Sequence, residues 1–374
     1  MFDEFDDPEP PALGEALRRK VRLRVRRRRN RRVAAASALG ATALVLGAAA
    51  LRIGSHLDRV ERLDGAGLDP AADGDEAGPS TILVVGTDAT SAAPQVGGAA
   101  DGGYADSMVL VRTDPASGTV RMLSVPRDLR VDDGTGDVTR LALLHGHKGP
   151  DRLVAEIEGQ LHVAIDHVAV VDLDGFRAAV DELGGVRVRT DHPVRDVRSG
   201  LHIDDTSCRT LRSDQALALV RARTLEVRQD GRWVLDPTGD LGRIQRQQAF
   251  LVAALARLRS SVPNPITLDR LATVVTEHVA VDDGMGDGEL LSLLRLVTTL
   301  DPGDVSASAL PTQPLLEDGA ALLVPAPGAA NAVSWLEGAT GFPSTTTTTT
   351  DAPPSVSPSV AELAGIGGVV TPCD

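Results

Sequence analysis

Between residues 80 and 190, short apolar runs alternate with amphipathic stretches. TILVVG at 81–86, SMVLVRT at 107–113 and VRMLSVP at 120–126 read as strands, the last two joined by an Asp114-Pro115 and Ser117-Gly118 turn. HVAVVDL at 167–173 and VRVRT at 186–190 predict two more. Apolar positions at helical spacing predict helices over 151–161 and 174–183, the second capped by Asp174 and stopped at Gly184-Gly185. Further helices are expected at 213–220, 240–259, 268–279 and 287–300. Such alternation predicts an α/β domain, a three-layer α-β-α sandwich with a central mixed sheet, over 81–340.

The flanks have a different pattern. From Val33 to Leu51 the chain runs about 19 residues without a charge, close to the ~20 that cross a bilayer as a helix. A cleaved signal has a shorter apolar region, and the long head before this run favours an uncleaved transmembrane helix. Arg18 to Arg32 precede the run and only Arg52 and Arg59 follow closely, so the positive-inside rule puts residues 1–32 in the cytoplasm and the rest outside. This predicts a single-pass protein of the cell membrane. Residues 52–80, rich in Asp, Gly, Ala and Pro, read as a stalk, and 341–374, with TTTTTT and PPSVSPSV, as a disordered tail.

Charge sharpens this division. The chain has 38 Lys+Arg against 52 Asp+Glu, a net of −14, yet residues 1–32 hold 11 Lys+Arg against 6 Asp+Glu. Only Lys20 and Lys148 are lysines, so nearly all positive charge is guanidinium, which suits bidentate phosphate binding and equally fits a GC-rich genome. The Arg26 to Arg29 run abuts the apolar span, and nucleic acid is not an expected partner. Cys208 and Cys373 have no metal-ligand spacing, and a bond between them is permitted without being implied.

Three clusters bring arginine and carboxylate together. In SVPRDLRV, Pro126 ends a strand and Arg127 and Asp128 follow on a loop, a common place for ligand contacts. In ALALVRAR, Arg221 and Arg223 project to one side if the segment is extended and diverge if it is helical. In DLGRIQRQQAFL, Asp240, Arg243 and Gln247 share a helical stripe near a helix N-terminus, which favours phosphate, while Leu241, Ile244, Leu251, Leu255 and Leu258 supply the buried face.

In their order and joint spacing these clusters, with IDHVAVVDLDGFRAAVDELGGV at 165–186, resemble the LytR-CpsA-Psr family of wall-polymer phosphotransferases, from about Thr81 to at least Arg259. Family members hold a lipid-linked pyrophosphate with arginines and a magnesium ion. The resemblance implies that Arg127, Arg140, Arg221, Arg223, Arg243 and Gln247 bind the pyrophosphate. It implies catalytic roles for Asp106, Arg127, Arg221 and Arg223, with Asp88 and Asp106 holding Mg²⁺. Two departures stand out: Tyr104-Ala105-Asp106-Ser107 lacks an arginine where the family has Arg-Ser-Asp-Thr, and Arg140-Leu141-Ala142 lacks an amide where the family has Lys-Ile-Asn.

The implied activity moves a glycopolymer from a polyprenyl-pyrophosphate carrier to a peptidoglycan hydroxyl, releasing polyprenyl phosphate. A non-catalytic binding protein or sensor for such precursors is the alternative. Common hydrolase and nucleotide-binding templates are missing: there is no G-x-S-x-G, H-E-x-x-H or Walker loop.

Overall fold

The computed structural model describes residues 60–63, 78–88, 104–134, 136–261, 265–317, 319–339 and 370–373. All lie in one compact unit, 55–374. The head, the apolar run 33–51, the 89–103 insertion and most of the Thr/Pro segment lie outside them. Among the described residues no helix is long and apolar enough to cross a membrane.

Seven strands form the central sheet: β1 (Glu61–Leu63), β2 (Ser80–Thr87), β3 (Ala105–Asp114), β4 (Thr119–Val125), β5 (His167–Val171), β6 (Val279–Asp282) and β7 (Val305–Ala309). Their order is β1-β6-β5-β2-β3-β4-β7. β2, β3 and β4 are an antiparallel meander, whereas β2 with β5 and β4 with β7 are parallel, so the sheet is mixed. The helices are α1 (Leu141–Lys148), α2 (Pro150–Leu161), α3 (Leu173–Glu182), α4 (Ser213–Arg221), α5 (Gly239–Ser261), α6 (Pro265–His278), α7 (Asp287–Thr299) and α8 (Ala329–Leu336).

The strand alternation has a direct reading in the packing. Leu83, Val85, Met108, Leu110 and Leu123 face one side and meet Leu144 of α1, Ile157 of α2 and Trp335 of α8. Val120, Met122 and Ala307 face the other, against Leu296 of α7 and Leu255 of α5. Both faces are covered, which is why the strands read as near-continuous apolar runs.

A smaller lobe carries two more sheets. One has the order 201–203, 194–196, 226–229, 232–235; the other has 209–211, 186–190, 370–372. They share a core with α4 and α5 that includes Val186, Val188, Leu219, Phe250 and Val370.

Three expectations are corrected here. The stretch read as a stalk contains β1, whose residues pair with Ala280–Asp282 and bury Leu63, so the sheet edge begins inside it. The stretch read as a disordered tail contains a strand, Val370–Pro372, paired with Val188–Thr190 and fixed by a disulfide between Cys373 and Cys208. The α3 cap is Asp172 rather than Asp174: its Oδ1 accepts the Gly175 amide at 2.6 Å, and a Cβ on Gly175 would lie 2.4 Å from His278.

A buried charge network pins the β1 side of the sheet. His167 Nδ1 lies 3.1 Å from Asp282 Oδ1, and its Nε2 lies 2.9 Å from Glu289 Oε2. Burial alone would lower the pKa of His167, but the two carboxylates outweigh it and raise the group from 6.5 to about 9. A raised folded-state value means the stabilisation is full below pH 6.5 and is lost as pH climbs through about 9. The parent protein should lose on the order of 2–3 kcal/mol of unfolding free energy between pH 7 and 10 through this group. His167→Gln should flatten that part of a urea-unfolding profile; an unchanged slope in the variant would refute the assignment.

Candidate functional site

The site starts from an irregularity where β2 meets β3. Gly86 pairs with Ser107 and Thr87 with Ala105, so Asp106 is the extra residue of a β-bulge. A bulge re-aims its side chain and frees its carbonyl from the ladder. The freed Asp106 carbonyl accepts Arg243 from α5 at 3.0 Å. Its carboxylate Oδ1 accepts Arg127 at 2.6 Å, from the loop after β4, and Arg223 at 3.2 Å, from just beyond α4. Three arginines from three elements therefore converge on one aspartate.

The Arg127 loop is held by backbone bonds to α1: the Ala142 amide donates to the Arg127 carbonyl at 3.0 Å and Leu141 to Leu129 at 2.9 Å. Asp128 Oδ2 lies 3.9 Å from Arg127 Nε, and its Oδ1 lies 3.5 Å from Arg140. Arg140, the residue preceding α1, is thus joined to the cluster through Asp128 rather than through Asp106.

Two candidates sit differently from the extended clamp and free stripe considered above. Arg221 is the last residue of α4 and is exposed, while Ala222 turns to extended geometry and sends Arg223 inward, so the two guanidiniums diverge. Gln247 donates its amide to the Val220 carbonyl at 3.0 Å and so positions the end of α4. The buried face of α5 also differs. Leu251 is 48% exposed, whereas Arg243, Arg246 and Gln248 are buried beside Ile244 and Phe250.

This polar seam is the part that sequence reasoning missed. Arg246 donates to the Ala222 carbonyl at 2.6 Å and pairs with Asp236 at 3.3 Å. Asp196 accepts the amides of Arg223 and Thr224 at 2.8 and 2.7 Å. Burial raises the pKa of Asp196, but the amides of Ser199, Thr224 and Arg198 outweigh it and the net shift is downward, so the carboxylate stays ionised. Gly242 is required here, because a Cβ would lie 2.1 Å from Thr238 Oγ1 and 3.0 Å from Arg246. His145 of α1 is a second unforeseen group: burial pushes its pKa down to about 4, against the upward pull of the Asp88 charge, leaving a neutral imidazole.

Asp88 follows β2 directly and clasps Tyr104, accepting its amide on Oδ1 and donating its own amide to the Tyr104 carbonyl at 3.2 Å. Asp88 and the bulged Asp106 therefore stand at the ends of adjacent strands. Among the described residues no group of three or more His, Cys, Asp or Glu side chains could hold a metal ion. A pair of carboxylates at adjacent strand ends still fits a cation that takes its remaining oxygens from phosphate and water.

The comparisons agree with this architecture. The chain is 33% identical over 196 residues to the Bacillus subtilis (strain 168) protein named polyisoprenyl-teichoic acid–peptidoglycan teichoic acid transferase TagV, covering 50% of this chain and 46% of that one. It is 27% identical over 273 residues to the cell wall biosynthesis protein LcpA of Corynebacterium glutamicum, covering 63% and 50% respectively. The aligned part thus spans about half the length of these relatives. Among solved structures, a LytR-Csp2A-Psr enzyme from Actinomyces oris superposes with a TM-score of 0.60 at 29% identity, over 74% of this chain and 96% of that one. B. subtilis TagV superposes with a TM-score of 0.56 at 25% identity, over 70% and 97%. The profile of the LytR_cpsA_psr family matches residues 53–334, and the chain belongs to that family.

Proposed function

We propose that this protein transfers a glycopolymer from a polyprenyl-pyrophosphate carrier to a sugar hydroxyl of peptidoglycan. The observation that carries the reading is the convergence of Arg127, Arg223 and Arg243 on the bulged Asp106. Guanidiniums brought from three elements onto one bulged residue, two on its carboxylate and one on its carbonyl, offer the planar forks that phosphate oxygens take. Relatives are named for teichoic acid transfer to peptidoglycan, in keeping with that chemistry.

The acceptor hydroxyl oxygen bonds to the glycan-side phosphorus and gives up its proton to water, while the bond from that phosphorus to the bridging oxygen breaks, so polyprenyl phosphate leaves with that oxygen. Negative charge grows on the leaving phosphate, and Arg127 and Arg223 neutralise it from fixed positions. Arg243 holds the bulge that aims Asp106. Arg140 and Arg221 flank the cluster as outer contacts for the pyrophosphate, and Gln247 keeps the end of α4 in place. Asp88 and Asp106 would hold Mg²⁺, which supplies further charge neutralisation on phosphate oxygens.

The carrier's apolar chain has a matching surface. Val84, Val109 and Val111 of the sheet and Leu255, Leu290 and Leu293 of α5 and α7 are partly buried where sheet and helices pack, and this apolar layer would take it. The apolar run 33–51 would anchor the protein in the same membrane, with residues 1–32 cytoplasmic and the domain outside. A binding or sensing role remains the second reading, favoured by Tyr104 and Ala142 in place of the family's arginine and asparagine.

One experiment tests both activity and anchoring. The full chain and a form starting at Ser55 are given a short polyprenyl-pyrophosphate glycan, peptidoglycan fragments and Mg²⁺, and products are weighed by mass spectrometry. Both forms should join glycan to acceptor and release polyprenyl phosphate, and only the full chain should sediment with membranes. Binding without any product would leave the sensor reading. Asp106→Asn should reduce turnover far more than lipid binding, since it weakens the metal site and keeps the arginines.

A further inference from the structure

We propose that the outer face of the four-stranded sheet is a docking platform for an anionic glycan, with Trp233 at its centre and Arg195 and Arg228 as its phosphate contacts. The chain is poor in aromatics, with 2 Trp, 1 Tyr and 5 Phe in 374 residues. Trp335 is 5% exposed in the main core, as a large apolar ring should be. Trp233 is not in a core cluster, and the strand register explains its position.

Arg228 pairs across with Trp233, and Glu226 with both Leu235 and Arg195, which in turn pairs with His202. Directly opposed residues share a face, and so do residues two apart on a strand. Arg195, His202, Glu226, Arg228, Trp233 and Leu235 therefore share one face, while Val194, Ile203 and Val227 bury the other. Arg195 Cζ is 4.4 Å from the Trp233 ring centre and Arg228 Cζ is 5.9 Å, both within cation-π reach. The indole thus orients two guanidiniums on a solvent-facing surface.

Charge selects the occupant. Arg195 is balanced by Glu226 at 2.6 Å and His202 meets Asp204 at 2.9 Å, but Arg228 pairs with no carboxylate among the described residues. In a chain of net charge −14, Arg195 and Arg228 stacked on one indole suit an anion that brings its own apolar faces. A chain of sugar rings joined through phosphates has both, since ring C–H faces lie on an aromatic and phosphates take guanidinium forks.

The platform continues from the site. Asp196, next to Arg195, holds the amides of Arg223 and Thr224, and the strand 226–229 starts three residues after Arg223. Asp196 lies with Val194 on the buried face, so a polymer whose first phosphate sits at Arg223 would pass the sheet edge to reach Arg195 and Arg228. The identity of that polymer as the transferred one rests on the function proposed above; the binding face does not.

The test uses the full chain in detergent micelles and the fluorescence of Trp233, with the buried Trp335 as a constant background. Titrants are a lipid-free sugar-phosphate oligomer, the matched neutral oligosaccharide, a muramyl glycan fragment and phosphatidylglycerol vesicles. Only the sugar-phosphate oligomer should change the signal saturably, with weaker binding at higher salt. Arg228→Gln should raise its Kd about tenfold, as expected for one charge-assisted contact. Trp233→Ala should abolish the fluorescence response, and in a transfer assay it should lower the preference for a long polymer over a single-sugar lipid substrate by about tenfold in kcat/KM. Equal response to the neutral sugar, stronger response to the muramyl fragment or vesicles, or an unchanged preference would overturn the platform. If the parent transfers neither lipid substrate, the functional reading falls, and the titration still decides the platform.

Discussion

Arg127→Ala is expected to lower transfer by roughly 10- to 150-fold, the loss of one hydrogen-bonded charge worth about 1.5–3 kcal/mol. Arg127 is half-buried, and its partner Asp106 sits on the bulge that also receives Arg223 and Arg243. Arg223→Ala should fall in the same range. Arg221→Ala should cost less than either, because Arg221 ends α4 at the surface while Arg223 turns inward. Arg127→Lys should recover only part of the loss, since an ammonium cannot present two parallel donors to two phosphate oxygens. Turnover measured by product mass on proteins with parental circular dichroism checks the ranking. Parent-level rates in both Arg127→Ala and Arg223→Ala would remove the residue-level mechanism, although the family membership would stand.

Removing the disulfide should give the largest stability change. Cys208 and Cys373 are 165 residues apart in the chain, and cross-linking so long a loop constrains the unfolded ensemble strongly. The Cys208→Ser, Cys373→Ser double variant should unfold about 2–5 kcal/mol more easily, a drop on the order of 10 °C in Tm. The strand Val370–Pro372 should detach first, because the link holds it beside Val188–Thr190 and over Phe250 of the smaller core. Denaturant unfolding with and without reductant measures the difference. Coincident curves for parent, reduced parent and double variant would show that the strand is held by packing alone.

The central fold was legible because its strands are buried on both faces: TILVVG, SMVLVRT and HVAVVDL are continuous apolar runs that polar spacers isolate. β1 was not legible, since Glu61-Arg62-Leu63 offers one buried apolar residue and gains its place from pairing with β6. Val370–Pro372 was hidden for a related reason: a three-residue strand after a Pro-rich stretch depends on a distant cysteine for its position. In the site, Asp106, Arg127, Arg223 and Arg243 were named by the family resemblance, and the structure brings them together. Arg246 sits within the GDLGRIQRQQ stretch without a role assigned to it, and Asp236 and Asp196 have no local signature, because a buried ion pair between separate segments leaves no periodic trace. Leu251 misled for the opposite reason, as helical spacing defines a stripe without saying which stripe the buried arginines occupy.

The closure at Cys373 also changes what the Thr/Pro segment can do. Residues 340–369 run between α8 and the strand at 370, and both ends are fixed on the same domain. A protease that cuts within the threonine run would therefore release no fragment until the disulfide is reduced, and the two pieces would migrate as one chain on a non-reducing gel.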